Sequence, residues 1–180
     1  MWSKMNLPNK LTMIRMIAVP FFIAAYMLGA YPVALVLFIA ASVTDFFDGK
    51  IARERGLVTN FGKIMDPLAD KILVYSALCL FIETEIIDGW MLIIILAREF
   101  IVAGMRTVSA SEGKVLAAGM SGKIKTVLQM VAVIIFLLGL SLPDYRVIIT
   151  AGNVIFILSL VMTVYSGCEY IYRNKDVFSM

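Results

Sequence analysis

The chain has 180 residues, 61% of them hydrophobic and 16% charged, with a formal net charge of +3 and a mean hydropathy of +0.92. A water-soluble core of this size cannot hide so much apolar surface, which excludes an ordinary soluble enzyme and leaves a polytopic helical membrane protein. There is no histidine, so a general base must be a carboxylate or a lysine.

Residues 1–10, MWSKMNLPNK, are too polar and too short for a signal peptide and read as a short interfacial helix, with Trp2 and Met5 toward lipid. Apolar runs near the ~20 residues needed to cross a bilayer then recur six times. The spans are expected at about 11–29, 32–54, 60–82, 88–110, 118–140 and 147–172. Gly29-Ala30-Tyr31-Pro32, Asp88-Gly89 and Ser141-Leu142-Pro143-Asp144 read as turns, and Gly56 with Val58-Thr59-Asn60 as the break between the second and third spans. The expected fold is all-α: six transmembrane helices plus the interfacial helix, in a single domain over 1–180. Cys79 and Cys168 fall in apolar segments with no disulfide or metal spacing, and are expected to be packing residues.

Basic residues set the expected orientation. With the N-terminus inside, every lysine and arginine lies on the inner side except Arg146, in an outer turn, and Arg98, within a span. This positive-inside pattern puts both termini at the cytoplasmic face.

The end of the second span and the start of the third carry the chemistry. Asp45, Asp48, Gly49 and Ala52 stand at i, i+3, i+4 and i+7, one stripe of a helix. Asp66 and Asp70, at i and i+4, form a second stripe with Gly62 one turn earlier. Four facing carboxylates repel one another unless cations lie between them, and all-oxygen ligation suits hard ions such as Mg²⁺ or Mn²⁺. Small residues leave a groove in which a ligand reaches the backbone, and Arg53 offers a planar, permanently charged fork for phosphate. Together these describe a site for a diphosphate with a base attached. A buried ion-pair cluster or an ion pathway would use the carboxylates but has no need of Gly49, Ala52, Arg53 and Gly62.

The stretch resembles the signature of the CDP-alcohol phosphotransferases, D-x2-D-G-x2-A-R-x8-G-x3-D-x3-D, at all eight fixed positions. The resemblance implies displacement on a CDP-linked lipid in a multi-pass membrane protein with its site at the cytoplasmic face of the cell membrane. It implies two divalent ions, Mg²⁺ or Mn²⁺, on Asp45, Asp48, Asp66 and Asp70, with Asp70 also the general base. It implies a CDP site at Asp48, Gly49, Ala52, Arg53, Gly62 and Asp66, and a homodimer. No nucleic-acid partner is expected.

Three further segments bear on the acceptor. Arg98 and Arg106 lie about 80° apart around the fourth span and so can face one cavity. Ser121-Gly122-Lys123-Ile124-Lys125-Thr126 opens the fifth span with two lysines and a hydroxyl, which suit an anion. Thr12 and Arg15, in the first span, reach the same pocket or anchor at the interface. These segments are similar to those of the phosphatidylglycerophosphate-forming branch of the family. That similarity implies CDP-diacylglycerol as donor and sn-glycerol 3-phosphate as acceptor, its phosphate on Arg98, Arg106, Lys123 and Lys125, with Thr12, Arg15 and Thr126 as weaker candidates. A sibling using inositol phosphate, serine or phosphatidylglycerol, a cation transporter, and a membrane scaffold are the alternatives. Arg98 and Glu99, charged within a span, can alternatively pair with other helices; beyond that the roles of Glu99, Tyr165, Ser166 and Glu169 are not legible at this stage.

Overall fold

The structure is a computed structural model. It describes the backbone of residues 7–54, 60–111, 113–114, 116–117, 119–143 and 146–179, and the side chains of 9–44, 62, 65, 68–111, 113–114, 116–117, 119–143 and 146–177. The expected interfacial helix falls mostly on residues 1–6, and the break near Gly56 on 55–59, both outside the described residues.

Among the described residues there are six α-helices, one short 3-10 segment and no strand. The helices are α1 (Leu7–Met27), α2 (Tyr31–Glu54), α3 (Asn60–Glu83), α4 (Gly89–Ser111), α5 (Met120–Leu140) and α6 (Arg146–Arg173). Each begins and ends where an apolar run gives way to glycine, proline or polar residues, within about four residues of the expected span. Gly29 closes α1 at φ +71°, a left-handed turn that glycine adopts without strain. The 3-10 segment Lys175–Ser179 has no apolar run to announce it.

The burial pattern is that of a membrane protein. Polar and charged Thr12, Arg15, Lys125, Gln129, Ser159 and Thr163 are buried, whereas Phe21, Ile93, Phe100 and Val147 are exposed. Water would reject such a surface and lipid accepts it. Among the described residues three helical stretches, Asn9–Met27, Met120–Leu140 and Arg146–Arg173, are long and apolar enough to cross a membrane. Cys79 and Cys168 are exposed and free, not packed inside as their apolar surroundings suggest, because an outward position on a lipid-facing helix is as apolar in sequence as an inward one.

Aromatic rings bind the helices together. Phe22 of α1 meets Phe38 of α2, and Tyr26 of α1 meets Phe81 of α3. Phe81 meets Phe136 of α5 with ring centroids 5.2 Å apart, and Phe136 meets Phe156 of α6. The tilted and edge-on geometries are those that the ring quadrupoles favour. Helices α5 and α6 meet closely at Gly139 and Gly152. A Cβ on Gly152 would stand 2.7 Å from the Phe136 ring, and one on Gly139 2.9 Å from Ile149. Small residues at such contacts are how helices pack without a hydrophobic driving force in lipid.

Candidate active site

Consecutive helices joined by short links run up and down, so the end of α2, the start of α3, the end of α4, the start of α5 and the end of α6 share one end of the bundle. The backbone is helical through 45–52 and through 66–70, which keeps the i, i+3, i+4, i+7 and i, i+4 stripes that the sequence implies. The side chains of Asp45, Asp48, Gly49, Ala52, Arg53 and Asp66 lie outside the described ones. Of the signature residues, Gly62 is buried and Asp70 half-buried. Of the four carboxylates expected to hold divalent ions, Asp70 alone is among the described side chains.

At the same end lies a cavity of about 620 Å³ between α3, α4, α5 and α6. Its cations are Lys71, Arg98, Arg106, Lys123 and Arg173, and its carboxylates Glu99 and Glu169. Thr126, Ser121 and Ser166 add hydroxyls. Lys71 brings α3, the helix that carries Asp70, to the wall of this cavity.

Glu99 is the hub of the cluster. Its Oε1 accepts from Arg98 Nη1 at 2.8 Å and from Lys125 Nζ at 2.6 Å, and its Oε2 pairs with Lys71 Nζ at 2.9 Å. One carboxylate thus ties α3, α4 and α5 together. Lys125, expected beside Lys123 as a phosphate ligand, is buried against Glu99 and is not on the cavity lining. The reason is helical: two residues apart is about 200° around the axis, so the two lysines face opposite ways.

Arg106 is held from α6. Its Nε donates to the Tyr170 hydroxyl at 3.1 Å, and its guanidinium carbon lies 5.4 Å from the centre of the same ring. Glu169 accepts from Ser121 Oγ and pairs with Arg173 at 2.7 Å. Val102, Met105 and Tyr170 form a small apolar cluster with Val177, which seats the C-terminal 3-10 segment against this end of the bundle. Thr12 and Arg15 are buried in α1, so Arg15 is not an interfacial anchor; neither is on the cavity lining. Tyr165 is exposed, whereas Ser166 is buried and donates to the Thr163 carbonyl.

The expected pairing of Glu99 with other helices is borne out, through Lys71 of α3 and Lys125 of α5, whereas Tyr170 and Glu169 were missed as organisers of the basic residues. The only local signal was an ionisable residue inside an apolar span, which calls for a partner without naming it.

A model of the CDP-alcohol phosphatidyltransferase family matches residues 5–165. The chain is 43% identical to the CDP-diacylglycerol–glycerol-3-phosphate 3-phosphatidyltransferase of Bacillus subtilis (strain 168), over 95% of this chain and 96% of that one. It is 36% identical to the protein of the same name from Rickettsia felis, over 96% and 97% of the two chains. It is 37% identical to a probable phosphatidylglycerophosphate synthase of Mycobacterium tuberculosis (strain ATCC 25618 / H37Rv), over 93% of this chain and 81% of that one.

Proposed function

The chain belongs to the CDP-alcohol phosphatidyltransferase family, and from that premise we propose that it transfers the phosphatidyl group of CDP-diacylglycerol to sn-glycerol 3-phosphate, giving phosphatidylglycerophosphate and CMP. The observation that carries the choice of acceptor is the cation-rich cavity whose wall runs into the helix of Asp70 through Lys71. A phosphate-bearing alcohol makes use of Arg98, Arg106 and Lys123, whereas serine or a neutral alcohol leaves their charge unmatched.

In this reading Asp45, Asp48, Asp66 and Asp70 hold two divalent ions, Mg²⁺ or Mn²⁺, which neutralise the donor's diphosphate and the departing CMP when bound. Asp48, Gly49, Ala52, Gly62 and Asp66 make the CDP site, and Arg53 meets a donor phosphate. Asp70 takes the proton from the acceptor's primary hydroxyl as its oxygen bonds to the β-phosphorus of the donor and the bond to CMP breaks. Arg98, Arg106 and Lys123 hold the acceptor's phosphate, Lys125 adds charge from behind Glu99, and Thr126 borders the site. Thr12 and Arg15 support the bundle interior on the side of α1. All six helices cross the membrane, with both termini and the site at the cytoplasmic face and the diacyl tails in lipid. The family resemblance adds a homodimer.

The test is an acceptor panel with purified protein and CDP-diacylglycerol, reading CMP release. sn-Glycerol 3-phosphate is expected to support turnover and glycerol or serine to be very poor. Equal rates with glycerol or serine would overturn the acceptor assignment.

A further inference from the structure

The Arg98 side chain lies where three helices converge, and two glycines define its path. Its Nη1 is fixed on Glu99 of its own helix. A Cβ on Gly122 of α5 would stand 3.0 Å from Nη2, and a Cβ on Gly167 of α6 would stand 3.0 Å from Cγ. Both separations are tighter than ordinary contacts, so any side chain at either position displaces Arg98. By contrast, a Cβ on Gly104, also in α4, would meet nothing within 4 Å. Arg98 Nε is buried and has no hydrogen-bond partner among the described residues, while the residue lines the cavity. With Nε out of contact with the cavity and Nη1 on Glu99, Nη2 is the guanidinium donor left for an anion bound there.

We propose that Gly122 and Gly167 are positioning residues for the acceptor: they form a slot that holds Arg98 with its unspent guanidinium donors toward the acceptor's phosphate. The inference rests on the acceptor reading above and adds the residues that act through Arg98. The two glycines are not equivalent. Gly122 confronts the terminus of a flexible side chain, which can yield by rotation of its last bonds. Gly167 confronts Cγ, which moves only if χ1 leaves its rotamer well or the helices separate. Displacing the guanidinium loses a charge-assisted contact while leaving donor binding intact.

The experiment is a double-mutant cycle on the purified full chain, with the KM for sn-glycerol 3-phosphate and for CDP-diacylglycerol measured separately. Gly167→Ala is expected to raise the acceptor KM about tenfold, the scale of one charge-assisted hydrogen bond, and to leave the donor KM unchanged. Gly122→Ala is expected to raise it by a smaller factor, and Gly104→Ala to change neither constant. In an Arg98→Ala background Gly167→Ala should add nothing, because the methyl enters the space the arginine left. If Gly167→Ala folds poorly by circular dichroism, the same cycle is read on Gly122→Ala. An equal loss with and without Arg98 would make the glycines general packing residues and overturn the proposal. So would an unchanged acceptor KM in both glycine variants when Arg98→Ala alone raises it. An unchanged acceptor KM in Arg98→Ala would overturn the acceptor site itself, and the slot with it.

Discussion

Replacing Glu99 with alanine removes the one carboxylate that Lys71, Arg98 and Lys125 share. The three pairs are not equal. The Lys71 side chain is 39% exposed, so its share is of the surface kind, about 0–1 kcal/mol. Lys125 is 5% exposed and Glu99 12%, so Glu99→Ala leaves a buried ammonium facing a guanidinium without a counter-charge. Breaking a buried pair by removing one partner costs about 3–5 kcal/mol, and this pair dominates the loss. For a chain of this size each kcal/mol moves Tm by about 2–4 °C, so the expected fall is roughly 6–20 °C. The assay is thermal unfolding in detergent followed by circular dichroism, with the folded fraction at 20 °C as control. Adding Lys125→Met to Glu99→Ala should recover most of the loss, because exchanging both charges for apolar volume is often near neutral. A fall in Tm under about 2 °C for Glu99→Ala would refute the reasoning, since a pair that weak belongs on a solvated surface. Failure of Lys125→Met to rescue would show that the loss comes from Arg98 or Lys71.

Tyr170→Phe keeps the ring beneath Arg106 and deletes the hydroxyl that its Nε–H donates to. A loss of ~1 kcal/mol is expected, about fivefold in acceptor KM with the donor KM unmoved, by steady-state kinetics. Asp66→Asn should abolish CMP release, as should EDTA on the unaltered protein, with Mg²⁺ or Mn²⁺ restoring the latter; full activity in EDTA would refute the two-ion reading. Gly152→Ala places a methyl against the Phe136 ring and is expected to destabilise by about 1–3 kcal/mol, read as a lower Tm in detergent with unaltered substrate KM values. Ala52→Leu is expected to raise the donor KM sharply at normal helicity, and an unchanged KM would place the cytidine elsewhere.

The helices were legible because each is a run of apolar residues bounded by residues that end helices, such as Gly29 and the Ser141–Pro143 turn. The carboxylate stripes were legible because their members lie within one or two turns of one another. What joins the basic residues was not legible. Lys125 lies 26 residues from Glu99, Ser121 lies 48 from Glu169, and Arg106 lies 64 from Tyr170. No period in the sequence carries such pairings, since they depend on how α4, α5 and α6 are rotated against one another. The opposed directions of Lys123 and Lys125 were available from the 100° helical step alone. Gly122 stood out only as part of the anion-suited opening of the fifth span, and Gly167 gave no sign, because a glycine in a helix reads the same whether it faces lipid, a neighbouring helix or an arginine.

The glycine-mediated contact of α5 with α6 has a consequence for how the protein is made. A ribosome delivers the chain from the N-terminus, so α2 and α3, with the whole carboxylate signature, exist before the last two helices. The α5–α6 pair is joined by a short link, holds the most apolar spans and packs through Gly139 and Gly152, so it can enter the bilayer as a preassembled hairpin. Only its docking supplies Lys123, Tyr170 and the two small residues around Arg98. A nascent chain therefore carries its carboxylate motif early but completes the basic cavity last. On the proposed function, a truncated chain lacking the hairpin keeps the donor's half of the chemistry and has no place for the second substrate.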